Sequence, residues 1–112
     1  MDGTTRGIKR LYEIAKRSGS MTVSYEHSEF RRLDGFRNVD GYMQLLGVAH
    51  QLGLLEKVET EKGMVPATEA VLEGALGFAR VRRGQSSLTG PRAVMKPAET
   101  EAYLRMRQLE IE

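Results

Sequence analysis

Apolar residues recur at helical spacing near the start of the chain. Within residues 6–17 they stand at i, i+3, i+4 and i+7: Ile8, Leu11, Tyr12 and Ala15. This period predicts an amphipathic helix, with Thr5 as its N-cap and Gly19 as a left-handed C-terminal cap. The other side is largely basic: Arg6, Lys9, Arg10, Lys16 and Arg17. The simplest interpretation of that side is a solvated face.

The pattern then changes to the period of a strand and back to that of helices. Alternation over residues 20–25 predicts a short strand, and a second helix, which starts at Ser24 or Ser28, follows as far as Leu33. Arg31, Arg32 and Arg37 should lie on its outer side and in the turn after it. A third helix should begin near residue 38 or 40, with a buried stripe of five residues: Tyr42, Leu45, Leu46, Ala49 and Leu52.

A β-hairpin is predicted directly after the third helix. Gly53 suits the C-terminal cap, residues 54–60 read as a strand, and 61–63 as a tight turn. Residues 64–66 return as a second strand, where Pro66 argues for the edge of the sheet. Thr68 is a good N-cap for a further helix over 69–83. Arg80, Arg82 and Arg83 lie in the last turn of that helix, where the helix dipole favours cations.

The C-terminal third divides into two predicted parts. Residues 84–97 are rich in Gly, Ser and Pro, so we expect a linker or extended arm. Pro97 suits the first turn of a final helix over 98–112, in which Ala102, Met106 and Leu109 form a thin apolar stripe. A helix this short is marginal alone in water, so it must dock on the domain 1–83, pair with another copy, or fray.

Composition limits the class of protein. The chain has 112 residues, enough for one core, and it has no cysteine for disulfides or thiolate metal sites. We see no apolar run near the roughly 20 residues that span a bilayer, and no signal-peptide pattern, so we expect a cytoplasmic protein without a membrane partner.

Charge is unevenly distributed along the chain. Residues 1–37 hold eight basic against five acidic side chains, 38–79 hold two against six, and 80–112 hold seven against four. A basic surface therefore has to come from the two ends of the chain. The isoelectric point near 9.1 permits a nucleic-acid partner without requiring one.

Motifs for catalysis are missing from the sequence. His27 and His50 are the two histidines, without a spaced set of carboxylates around them, and no phosphate-binding glycine loop occurs. We therefore expect neither an enzyme nor a metal site nor a cofactor.

The order helix, strand, helix, helix, strand, turn, strand, helix resembles the winged helix-turn-helix family over roughly residues 5–83. Its most characteristic part is "LGLLEKVETEKGMVPATEA", residues 52–70, where a helix end leads into a strand, a charged turn, a strand and Thr-Glu. The resemblance implies an α+β, mostly helical fold of α-β-α-α-β-wing-β type with a C-terminal helical extension.

The resemblance also implies a DNA-binding transcriptional regulator. The third helix would enter the major groove with an outward stripe of Asp40, Gln44, Gly47 and Gln51, flanked by Met43, Val48 and His50. Thr60, Lys62 and Gly63 would form the wing that touches the flanking backbone or the minor groove. From Asn38 to Leu55, however, no Lys or Arg occurs. Phosphate contacts would therefore have to come from other basic groups: Arg31, Arg32 and Arg37, the first helix, or Arg92 and Lys96 in the arm.

The alternative use of this fold is protein association. An uncharged third helix, with Gly47 permitting close approach, could pack against a partner protein, and an apolar patch over Met43, Gly47 and Val48 would favour that reading. For the regulator we expect a homodimer with double-stranded DNA as its partner. Its dimerisation helix would use Tyr103, Met106 and Leu109.

Overall fold

The computed structural model describes residues 3–25, 39–74 and 91–111; for 39, 40 and 109–111 it describes the backbone alone. The protein is a small α+β domain. In chain order its elements are α1 (Gly3–Ser18), β1 (Thr22–Val23), α2 (Val39–Gln51), β2 (Leu55–Thr60), β3 (Gly63–Pro66), α3 (described over 69–74), β4 (Ala93–Met95) and α4 (Pro97–Ile111). The predicted second helix and its arginines, 31, 32 and 37, lie outside the described residues.

The four strands form one antiparallel sheet in the order β1-β4-β2-β3. The hairpin β2–β3 lies where the sequence predicts it, and β3, which ends at Pro66, is an edge strand as expected. Its register pairs Val58 with Val65 and Thr60 with Gly63, so the connecting turn has two residues.

β4 corrects the C-terminal part of the predicted linker or extended arm, residues 91–97, whereas residues 84–90 of that prediction lie outside the described residues. The three residues of β4 form an inner strand, which pairs with β1 on one side and with β2 on the other. Ala93 and Met95 are completely buried, while Val94 between them is half-buried. An alternation of three residues is too short to predict a strand, and the Gly, Ser and Pro before it masked the signal.

The larger of the two clusters of buried apolar residues in the described ranges is formed by the sheet together with helices α1 and α2, and the smaller one contains Val58 and Leu72. From α1 the larger cluster takes Ile8, Leu11 and Ala15, all without exposed surface. From α2 it takes Tyr42, Leu45, Leu46 and Ala49, as the helical pattern predicts. Leu52 is the exception, because it is 43% exposed and Leu54, after the helix end, is buried in its place.

Glycines end both of the first two helices where the sequence predicts. Gly19 and Gly53 have φ of +79° and +76°, the left-handed region that favours glycine. After α2 the amide of Leu54 donates to the Ala49 carbonyl and that of Gly53 to the His50 carbonyl, both at 2.9 Å. These two bonds are a Schellman motif, and they direct the chain from α2 into the hairpin.

Side-chain caps give one confirmation and one correction. Thr68 caps α3 as predicted, because its Oγ1 accepts a hydrogen bond from the Val71 amide at 3.2 Å. Thr5 does not cap α1, which begins two residues earlier. Its side chain is buried, and its Oγ1 lies 3.3 Å from the Tyr103 hydroxyl of α4.

Of the three outcomes expected for the final helix, docking is the observed one. Tyr103 and Leu104 pack against the core, and Arg107 Nε donates to Thr5 Oγ1 at 3.4 Å. The apolar stripe of Ala102 and Met106 faces outward instead, with Met106 57% exposed. Pro97 occupies the first helical position, as predicted.

Two glycine substitutions should have opposite effects on stability. Gly53→Ala places a Cβ in a left-handed residue and should lower the free energy of unfolding by about 1–2 kcal/mol. Gly47→Ala lies within α2, where an added Cβ meets nothing within 4 Å, and should raise it by about 0.5–1 kcal/mol. Urea denaturation of both variants measures these changes. A neutral or stabilising Gly53→Ala would contradict the role of this cap.

Candidate nucleic-acid interface

The outward side of α2 carries uncharged polar groups, as the sequence predicts. Gln44 and Gln51 are exposed, and Gly47 between them is half-buried. Spacings of three, four and seven residues keep these positions on one line along the helix. The backbone of Asp40 belongs to the first turn of α2, on the same line, while its side chain lies outside the description.

Met43 is not part of this outward surface. From the sequence, Met43 is expected beside Gly47 and Val48 in a candidate apolar patch, but it is only 2% exposed and belongs to the core. Val48 and His50 are half-buried at the borders of the stripe. Helical spacing leaves Met43 at the border of the apolar stripe, so only the packing of α2 determines its side.

The side chain of Thr60, the last residue of β2, stabilises the turn between β2 and β3 by two hydrogen bonds. Thr60 Oγ1 accepts a hydrogen bond from the Lys62 amide at 3.1 Å and donates to the Gly63 carbonyl at 3.0 Å. Gly63 has φ of +98°, a conformation that favours glycine. Glu61 and Lys62 are therefore presented to solvent on a defined turn, with one charge of each sign.

Arg92 is bound by an acidic residue of the hairpin. Its Nε and Nη2 donate to Glu59 Oε2 at 3.2 and 2.9 Å, and its backbone amide donates to Glu59 Oε1 at 3.2 Å. In return, the Glu59 amide donates to the Arg92 carbonyl at 2.8 Å. From the sequence, Arg92 is a candidate phosphate contact in a linker or extended arm. In the fold, it fastens the start of β4 to β2.

Tyr42 forms a second contact with the segment directly before β4. Its hydroxyl, fully buried under the sheet, donates to the Pro91 carbonyl at 2.6 Å, and its ring lies 5.6 Å from that of Tyr25. Burial, and secondarily the charge of Glu59, raises the pKa of Tyr42 well above its usual value. The helical pattern predicts that Tyr42 is buried. It does not predict the hydrogen bond to Pro91, because a partner 49 residues away leaves no local signal in the sequence.

The other predicted site residues belong to other segments of the chain or lie outside the described residues. Arg31, Arg32 and Arg37 fall in the undescribed segment 26–38. Lys96 is half-buried, and its backbone amide donates a hydrogen bond to the Leu54 carbonyl at 2.7 Å. Of the proposed dimerisation residues, Tyr103 packs on the core, Met106 is exposed, and the side chain of Leu109 is undescribed.

Within the described ranges 3–25, 39–74 and 91–111, no group of three His, Asp or Glu side chains is arranged to hold a metal ion. None of the helices in these ranges has the length and apolar character needed to cross a membrane.

Comparisons with protein-family models, with curated protein sequences and with solved structures found no match to this chain. The interpretation of the surface therefore depends on its own chemistry.

Tyr42→Phe should destabilise the fold in a pH-dependent way. Below the pKa of an unfolded tyrosine, about 10, it leaves the buried Pro91 carbonyl without its donor and should cost about 1–3 kcal/mol. Because the pKa of Tyr42 is raised in the fold, its contribution is fully present below pH 10 and is lost as pH rises further. Urea denaturation should show that the difference in the free energy of unfolding between wild type and Tyr42→Phe is smaller at about pH 11 than at about pH 8. An equal difference at both values would contradict this assignment.

Proposed function

We propose that the protein is a winged-helix DNA-binding regulator in which α2 reads bases. The observation that supports the proposal is the outward line of Gln44, Gly47 and Gln51 on a helix capped directly into a tight hairpin. Glutamine can donate to and accept from adenine in the major groove at the same time, and a glycine lets the helix backbone come close. The hairpin turn, Thr60 to Gly63, is the corresponding wing.

In the proposal, base reading and phosphate binding belong to different elements of the fold. Over residues 39–66 there are two basic side chains, Lys57 and Lys62, against four acidic ones. Since phosphate contacts supply most of the salt-dependent affinity, α2 and the hairpin cannot be the main source of binding energy. In the proposal they supply selectivity, and Arg31, Arg32 and Arg37 supply phosphate contacts.

The test begins with selection of preferred duplexes from a random pool, followed by fluorescence-anisotropy titration at about 50 and 200 mM salt. Gln44→Ala/Gln51→Ala should weaken binding to the selected sequence by about tenfold or more, because each lost bidentate contact is worth roughly 1–3 kcal/mol. Its binding to unselected DNA should stay unchanged. Gln108→Ala removes an exposed glutamine from α4 and is the matched control.

Absence of DNA binding by the wild type at the lower salt, even at high protein concentration, would contradict the proposal. Equal affinity of the double variant and the control for the selected sequence would remove α2 from the reading role.

The second candidate function is protein association through α2. It is favoured by the lack of Lys and Arg between Asn38 and Leu55, and by exposed Leu52 beside half-buried Val48. Depletion of charge at the centre is typical of protein interfaces. The titration separates the candidates, since a helix used in this way would leave the protein without sequence preference for DNA.

We also propose that the regulator is a homodimer formed through the outward side of α4. Met106 is the large apolar residue exposed there, next to exposed Ala102, and Leu109 follows on the same line. Tyr103 contributes by holding α4 on α1 and not by contacting the second copy.

Met106→Glu should shift the protein toward monomer in sedimentation equilibrium, because a charge would be buried against its copy. Arg105→Gln, a neighbouring exposed position, is the control and should leave the association constant unchanged. A wild-type protein that sediments as a monomer would contradict the dimer.

A further inference from the structure

The outward side of α1 is the most strongly charged surface of the described residues. The helix carries five basic side chains and a single acidic one, Glu13, which pairs with Arg10 at 3.2 Å. Arg6, Lys9, Lys16 and Arg17 are all exposed, while the apolar residues between them enter the core. We call these four residues, together with Arg10, the basic face of α1.

Helix stability explains only the C-terminal half of this face. Lys16 and Arg17 lie in the last turn, where cations interact favourably with the helix dipole, and Lys16 Nζ also stands 5.3 Å from the centre of the Tyr12 ring. Arg6 lies in the first turn, where the dipole favours acids, and α1 has none there. A structural role therefore does not account for Arg6, nor for Lys9 one turn later.

The neighbouring helix adds a further cation at the same end. Arg107 of α4 reaches α1 and donates to Thr5 Oγ1, one residue before Arg6. Glu101 of α4 also reaches α1, where it forms a hydrogen bond with Tyr12. Among the described side chains, Arg107 therefore adds a cation close to Arg6, and Glu101 adds an acid close to the middle of α1.

We infer that the basic face of α1 binds the phosphate backbone of DNA, an inference that depends on the proposed DNA-binding function. From Arg6 to Arg17 the helix extends about 16 Å, along which double-stranded DNA carries roughly nine negative charges. The hairpin and α2 carry excess negative charge, so a polyanion approaches the α1 side with less repulsion. The basic face of α1 then adds phosphate contacts to those proposed for Arg31, Arg32 and Arg37, and sequence preference comes from α2.

The experiment compares two double variants of equal charge in anisotropy titrations of a mixed-sequence duplex over a series of salt concentrations. Arg6→Gln/Lys9→Gln removes two charges from the basic face, and Lys57→Gln/Arg105→Gln removes two exposed charges elsewhere. Each lost phosphate contact flattens the plot of log K against log salt by about 0.9, so the first variant should flatten it by about 1.8 and the control by much less. Circular dichroism verifies that both variants are folded.

The possible outcomes separate this inference from the proposal on which it depends. Equal slopes for the two variants, with tight binding by the wild type, would overturn the role of α1 and leave DNA binding intact. A flattened slope for the α1 variant, together with no effect of Gln44→Ala/Gln51→Ala, would support α1 and overturn base reading by α2. No binding by the wild type at low salt would overturn both.

Discussion

The position of β4 is the constraint on which the rest of the described structure depends. This strand joins β1 to β2, so without it the hairpin would have no connection through the sheet to the strand that follows α1. Its three residues supply few hydrogen bonds of their own. The segment before it is therefore held by other groups, the Tyr42 hydroxyl on Pro91 and the Glu59 carboxylate on Arg92. These contacts connect α2, the hairpin and the C-terminal segment, three parts that are far apart in the chain.

This arrangement also determines which charges are available to a partner. Glu59, on the hairpin, forms an ion pair with Arg92, whose Nε and Nη2 both donate to Oε2, so the two opposite charges largely cancel at the surface. Among the described residues, α1 carries four exposed cations, whereas α2 carries no Lys or Arg and the hairpin carries Lys57 and Lys62. This distribution agrees with the division of roles that we propose.

Local signals in the sequence predicted most elements correctly. The helix caps at Gly19, Gly53 and Thr68 and the hairpin around Glu61-Lys62 require only neighbouring residues, and all four lie where expected. The wrong predictions concern residues whose role depends on distant partners. Thr5 has the chemistry of a cap but meets Tyr103, and Arg92 has the chemistry of a phosphate contact but meets Glu59. A sequence pattern cannot distinguish these uses, because a side chain's partner is selected by packing.

By itself the sequence determined the α+β class, the amphipathic faces of α1 and α2, the hairpin and its edge, and the outward line of Gln44 and Gln51. These follow from the periods of helix and strand and from the conformational preferences of glycine, proline and threonine. Only the tertiary structure decided that Met43 is buried and Leu52 exposed, and that residues 93–95 are an inner strand and not an arm. The reason is that a short segment between two strands obtains its hydrogen bonds and its burial entirely from residues distant in the chain.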